Sequence, residues 1–184
     1  MTLRLATAAD AAAIADLGRR AFIAKFGHLY SAENLAAFLD DAHTAAKVSG
    51  ELANPDMKVA VIEEDGRLAS FCKIVRTSGL PRHTAAKKPM ELKQLYTDPD
   101  LIGRGHGARL MDWALAEARA WGADEIQLSV YADNPQAQKF YRRYGLEKVA
   151  DIEFWVGDHC DPEFMFAGPL QLPAEARNPG PMCR

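Results

Sequence analysis

Cysteine is scarce. Cys72, Cys160 and Cys183 are the only three in 184 residues, and no CxxC occurs. Neither a disulfide framework nor a zinc motif built on paired cysteines fits so few and so scattered thiols. Long apolar runs are also missing. No stretch approaches the roughly 18 consecutive apolar residues of a membrane span, and the N-terminal MTLRLATAAD lacks the apolar core of a signal peptide. Neither sign of charge dominates. Lys and Arg number 22 and Asp and Glu 25, a net charge of −3, which gives no general attraction to nucleic acid or to an anionic membrane. The histidines (His28, His43, His83, His106, His159) form no cluster with metal-ligand spacing, so no metal is expected. A soluble, cytoplasmic protein is expected, without nucleic acid or membrane as partner. The oligomeric state stays open, a homodimer included.

What is present is ordinary globular material. Hydrophobic residues make up 48% and charged residues 26%, enough for one core without staples. A short strand is predicted at 2–6. Thr7 and Asp10 then open a helix with Ile14, Leu17 and Ala21 on one face. After Gly27, Ser31 caps a second predicted helix, with Leu35, Phe38, Leu39, Ala42 and Ala46 as its apolar stripe and Gly50 as its stop. Alternating Met57, Val59 and Val61 read as a strand, joined at Asp65-Gly66 to another over 67–76. Residues 77–89 read as a polar surface loop. A strand at 90–97, a helix at 106–121 and a strand at 124–131 follow. A short helix is then capped by Asn134-Pro135, and two strands fit 146–156 and 163–168. The predicted order is βααβββαβαββ, an α/β fold around a mixed central sheet of about seven strands. The expected boundaries are a single domain over 1–172 and a Pro-rich tail over 173–184.

The most informative segment is Gly103-Arg104-Gly105-His106-Gly107-Ala108, between a strand and a helix. Glycines there bring unsatisfied backbone N–H groups to the positive end of a helix, which is a cradle for phosphate. A Walker A loop would need Lys and Ser/Thr after its last glycine, but Ala108 and Arg109 stand there. The spacing Gly103-x-Gly105-x-x-Ala108 matches a dinucleotide fingerprint on paper. However, Asp98 to Ile102 separate strand from glycines, and antiparallel hairpins precede it.

Two segments carry a family resemblance. Glu91-Leu92-x-x-Leu95-Tyr96-Thr97-x-Pro99 followed by Gly103-x-Gly105-x-Gly107-Ala108-x-Leu110-Met111 resembles the acetyl-CoA-binding motif of the GNAT N-acetyltransferases. Asn134-x-x-Ala137-x-x-Phe140-Tyr141-x-x-x-Gly145-Leu146 is similar to that family's next motif. They occur in the family's order with one strand between them. Three positions depart from the pattern. Ile102 stands where Gln or Arg is usual, Thr97 where Val is usual and Ser70 where Gly is common. Phe22, Phe26-Gly27, Asn34, Leu35 and Leu39, with the 91–96 stretch, resemble the Pai-type subgroup, which acetylates spermidine and spermine.

The resemblance implies a GNAT fold and acetyl transfer from acetyl-CoA to a primary amine, by direct attack in a ternary complex. It implies contacts to acetyl-CoA from Leu95, Tyr96, Thr97, Ile102, Gly103, Arg104, Gly105, His106, Gly107, Ala108 and Asn134. It places Tyr141 beside the thioester sulfur as acid and Glu91 at the position of a base. Phe26, His28 and Tyr30 are the candidates for binding the acceptor. The acceptor half is otherwise sought in carboxylates (Glu33, Asp40, Asp41, Asp158, Asp161, Glu163) and aromatics, which suit a small cationic amine such as a polyamine. A catalytically silent CoA-binding sensor is the other reading, since a sensor need keep neither Tyr141 nor Glu91.

Overall fold

A computed structural model describes residues 1–170; the expected domain end at 172 and the tail over 173–184 lie outside the described residues. Seven strands form one sheet in the order β1-β2-β3-β4-β5-β7-β6. They are β1 (Thr2–Leu5), β2 (Met57–Glu64), β3 (Arg67–Val75), β4 (Pro89–Thr97), β5 (Glu125–Tyr131), β6 (Glu147–Val156) and β7 (His159–Pro169). Every neighbouring pair is antiparallel except β4 and β5, which run parallel.

Alternation along the central strands covers both faces. Ala60 and Ile62 of β2 join Ile74, Met90 and Leu128 in a cluster closed by Leu110, Met111, Ala114 and Ala118 of α4 (His106–Ala120). Val59 and Val61 point the other way. They meet Ile14 and Leu17 of α1 (Ala11–Phe26) and Val48 of α3 (Ala45–Ala53). Each buried Leu, Ile or Val of these layers contributes about 1.5–3 kcal/mol. The helix α5 (Pro135–Arg142) adds Tyr141 to the α4 face.

The sequence suggests one helix from Ser31 to Gly50, but the chain forms two, α2 (Ala32–Ala42) and α3. The break at His43 has two causes. The Thr44 hydroxyl accepts the Lys47 N–H at 3.1 Å and so starts a new helix. The His43 ring is also turned inward among Phe22, Phe38 and Tyr96. Gly18 makes room for it, since a Cβ there would lie 2.4 Å from His43 Nδ1. Burial, with Lys73 and Arg19 nearby, lowers the His43 ring to about 4, so it is neutral at pH 7.

Two features of β4 position the site. First, Lys73 pairs with Gln94 and Ile74 with Leu92, so Lys93 is an extra residue that bends β4. Second, β4 and β5 pair only at Pro89–Glu125, Met90–Ile126 and Glu91–Gln127. Beyond Glu91 the strands part. β4 stays with β3, and β5 stays with β7. The slot between them runs from the α4 face of the sheet to the α1 face.

The open end of β4 is pinned by Asp98, whose side chain is 2% exposed. It accepts the Asp100 N–H at 3.0 Å and binds Arg20 at 3.0 Å. Burial pushes this carboxyl up, but the Asp100 N–H, Arg20 and Arg67 outweigh it and hold it below the usual range. Asp98→Ala is expected to cost about 1–3 kcal/mol by urea denaturation at pH 7. The contribution is complete above the unfolded value near pH 4 and is lost as pH falls through the lower folded one, so wild type and variant should converge below about pH 4.

Candidate active site

The slot opens into a cavity of roughly 1510 Å³, lined on one side by the end of β4 and on the other by Ser129, Val130 and Tyr131 of β5. Past Glu91 the outward N–H and C=O groups of β4 face this space without a strand partner, as an extended ligand requires. Gln94 Oε1 and Ser129 Oγ, one from each wall, are buried lining atoms with no hydrogen-bond partner among the described residues. A polar, extended chain inserted between the strands would satisfy them.

The glycine loop forms the mouth. Gly103 and Gly105 adopt φ of +89° and +84°, and a Cβ at either would meet nothing within 4 Å. Glycine is needed there for conformation rather than for space. Gly105 is the N-cap of α4, so the N–H groups of His106, Gly107 and Ala108 lack intrahelical acceptors. Gly107 differs from the other two. Its φ is not positive, and a Cβ would touch only the Phe140 ring at 3.8 Å. Packing does not demand glycine there, whereas a ligand approaching the backbone would.

The remaining expected acetyl-CoA contacts divide. Leu95, Tyr96, Thr97, Ile102, Ala108 and Asn134 line the cavity with the three glycines, while Arg104 and His106 do not. Arg104 is exposed and reaches Glu64 at 3.5 Å. The His106 ring is buried beneath the loop, with Nε2 3.0 Å from Glu64 Oε2 but not in hydrogen-bonding geometry, and it does not line the cavity. Asn134 Oδ1 accepts the Ala137 N–H at 3.3 Å and caps α5. Two departures from the family pattern prove to be a single pair. Ser70 and Thr97 are cross-strand partners, their hydroxyl oxygens lie 2.9 Å apart, and Ser70 Oγ also donates to Tyr96 O at 2.6 Å.

Tyr141 is buried on α5 and lines the cavity. Burial first, then Cys72 and Tyr96, raise its phenol above the ordinary value, so it is fully protonated at neutral pH. The same dry surroundings push the Cys72 thiol up as well. Glu91 lines the closed end of the slot, and both its oxygens are engaged. Oε2 accepts the Gly79 N–H at 2.9 Å, and Oε1 accepts Lys93 Nζ at 3.2 Å.

Of the three acceptor candidates, Phe26 lines the cavity and the other two do not. His28 is exposed on the turn Gly27–Leu29. Tyr30 donates its hydroxyl to Asp161 and stacks on Phe22. The expected carboxylates divide too. Asp41 and Glu163 line the cavity, Asp40 pairs with Arg19, and Asp158 accepts from Asn34. Asp151 and Glu153 of β6 line it without having been singled out in the sequence. Strand alternation alone could have marked them, but not which face would meet the cavity. Among the described residues no group of three or more His, Cys, Asp or Glu could hold a metal, and no helix is long and apolar enough to cross a membrane.

Comparison with known proteins agrees with this geometry. The model of the acetyltransferase (GNAT) family matches residues 15–146. An uncharacterized N-acetyltransferase of Mycobacterium tuberculosis is 27% identical over 161 residues, 88% of this chain and 98% of that one. A mycothiol acetyltransferase of Clavibacter michiganensis is 30% identical over 149 residues, covering 76% of this chain and 46% of that one. In fold, the PaiA N-acetyltransferase of Thermoplasma acidophilum, solved with coenzyme A, superposes with a TM-score of 0.72 at 19% identity, over 92% of this chain and 99% of that one. The ribosomal-protein-S18-alanine N-acetyltransferase of Escherichia coli gives 0.68 at 16% identity, over 95% and 97%.

Gly107→Ala separates binding from folding. It should leave thermal stability equal or higher, since alanine is the better helix residue. It should raise the Kd for coenzyme A at least tenfold in calorimetry, the equivalent of one lost charge-assisted hydrogen bond of about 1.5–3 kcal/mol.

Proposed function

This chain belongs to the acetyltransferase (GNAT) family and is an acetyl-CoA-dependent N-acetyltransferase, and we propose that it acetylates a small cationic primary amine, with a polyamine as the leading acceptor. The acetyl group moves by direct attack of the amine on the thioester in a ternary complex. The observation that carries the reading is the continuity of the cavity. It begins at the glycine loop and passes between the parted strands. It ends on the far side of the sheet among Phe22, Phe26, Phe38, Tyr96 and Phe154.

Aromatic faces attract cations by roughly 0.5–2 kcal/mol, and the Glu163 carboxylate lies beside them. Lys73 is paired with Glu51 and Lys93 with Glu91. At this end that leaves Asp41 and Glu163 beside Lys25 and Lys47, since Asp151 is paired with Lys148 at 2.7 Å and Asp151 and Glu153, across from Phe164 and Pro162, project from the other face of the sheet. A flexible chain of amines suits this aromatic lining, with the Glu163 carboxylate in it, better than an anion does.

In this reading the glycine loop and the first turn of α4 hold the phosphates, and the free edge of β4 holds the extended arm. Tyr141 stands at the sulfur. Its phenol hydrogen-bonds the departing sulfur and supplies its proton, which stabilises charge that exists only as the carbon–sulfur bond breaks. Leu95, Tyr96, Thr97 and Asn134 position the arm. Glu91, through Gly79 and Lys93, fixes the 77–89 loop at the closed end of the slot.

Steady-state release of CoA thiol tests the acceptor. Spermidine and spermine should give a higher kcat/KM than n-butylamine or glycine, with a KM that rises with ionic strength through screening. A preference for glycine, or a salt-independent KM, would discard the polyamine. Binding of acetyl-CoA without turnover of any amine would favour a sensor. For the acid, Tyr141→Phe should lower kcat tenfold to thousandfold, within the range of general acid–base effects of up to about 10⁴. The Kd for acetyl-CoA should stay within twofold.

A further inference from the structure

Resting on the amine reading above, we propose that Glu163, and not Glu91, is the base that takes the proton from the acceptor ammonium. Its place in the sheet is the first ground. Phe164 and Phe166 of β7 point to the α4 face, so Glu163 projects from the opposite face. It sits directly across from Tyr131 of β5, whose ring meets Phe26 edge-on at 5.8 Å. Tyr141 belongs to the α4 face. Base and acid thus stand on opposite sides of the sheet, joined through the slot between β4 and β5. Transfer needs that separation, because the nitrogen arrives on one side of the carbonyl carbon and the sulfur leaves on another.

The second ground is that the Glu163 carboxylate is unengaged. It lines the cavity and makes no hydrogen bond to another described residue, whereas both Glu91 oxygens are taken. Its surroundings suit a base. Asp161 precedes it on the same face of β7, held by Tyr30 and, at 3.1 Å, by His159. Tyr131 faces it from β5. Tyr96 approaches from β4, and burial first, then the charge of Glu163, raise its phenol; the Tyr30 phenol is raised by burial, by Asp161 and last by Glu163. On β6 Ile152 lies opposite, flanked by Asp151 and Glu153, and α1 brings Lys25 to the same cavity. Burial first, then the Asp161 charge, push the Glu163 carboxyl up to about 7. It is therefore strong enough as a base to compete for an ammonium proton, yet still half ionised at neutral pH.

The protons balance as follows. The ammonium gives one proton to Glu163, and the freed lone pair forms the carbon–nitrogen bond. The carbon–sulfur bond then breaks, and the sulfur takes the Tyr141 proton. The nitrogen's second proton restores the phenol, while Glu163 releases its own to solvent.

Glu163→Gln keeps the shape and removes the base. With spermidine, kcat/KM at pH 7 should fall about 10²-fold or more. The loss should shrink toward pH 10, where the amine deprotonates unaided. The acidic limb near pH 7 should vanish from the variant. Asp161→Asn, which removes the charge beside Glu163 while its amide oxygen can still accept from Tyr30, should move that limb to lower pH without abolishing turnover. A readout independent of activity follows from linkage. A carboxyl raised in the folded state costs stability as pH climbs from its unfolded value near 4.5 through about 7. The melting temperature of Glu163→Gln should therefore exceed that of wild type by more at pH 8 than at pH 4.5. Glu91→Gln, run in parallel, should leave the limb in place. If wild type turns over and Glu163→Gln stays within threefold of it at every pH, or if Glu91→Gln alone removes the limb, Glu163 is not the base. If wild type releases no thiol with spermidine or n-butylamine while still binding acetyl-CoA, the amine reading falls and this assignment with it.

Discussion

The parting of β4 from β5 is the constraint on which the rest of the molecule depends. Parallel strands joined along their whole length would close the sheet and leave neither a free edge nor a passage through it. Here three residue pairs hold the strands together, and the extra residue Lys93 turns β4 away from its neighbour. The separation exposes backbone groups on β4, leaves Gln94 Oε1 and Ser129 Oγ without partners among the described residues and creates the cavity. It also explains why the flanks are fastened so firmly. Asp98, Arg20 and Asp100 secure the open end of β4, and Glu91 with Gly79 and Lys93 secures the closed end. A gap in a sheet persists only if other contacts stop the strands from zipping shut.

The two faces of that gap differ in chemistry. The α4 face has a helix N-terminus, glycines and a dry phenol, which suit a phosphate-bearing thioester. The opposite face is aromatic and brings Asp41 and Glu163 to the cavity. In the proposed reaction the slot is where the two halves of the chemistry meet, and burial tunes both. It raises the Tyr141 phenol, which keeps that group protonated and able to donate. It also raises Glu163, which makes that carboxylate a better base.

Much of this was legible from local pattern. Thr7 and Asp10 form the expected capping box, and Asn134 with Pro135 starts α5. These signals act within a few residues of themselves and survive any tertiary context. The single predicted helix over 31–50 failed because the inward turn of His43 depends on Gly18 and Phe22, more than twenty residues away. Tyr30 and His28 read alike in sequence as acceptor-loop residues. One is bound to a strand near the far end of the chain, and the other is exposed.

By itself the sequence determined the α/β class, the glycine loop at the start of α4, the paired motifs and the position of Tyr141, because each is written in spacings shorter than one element and its turn. Only the tertiary structure decided which carboxylates meet the cavity. Glu91, in the motif, has both oxygens engaged, while Glu163, outside it, stands free among groups drawn from β4, β5, β6 and the turn after α1. The state of a carboxyl is set by what surrounds it in space. For Glu163 those neighbours lie as far back as Tyr30 and come together only when the sheet has formed.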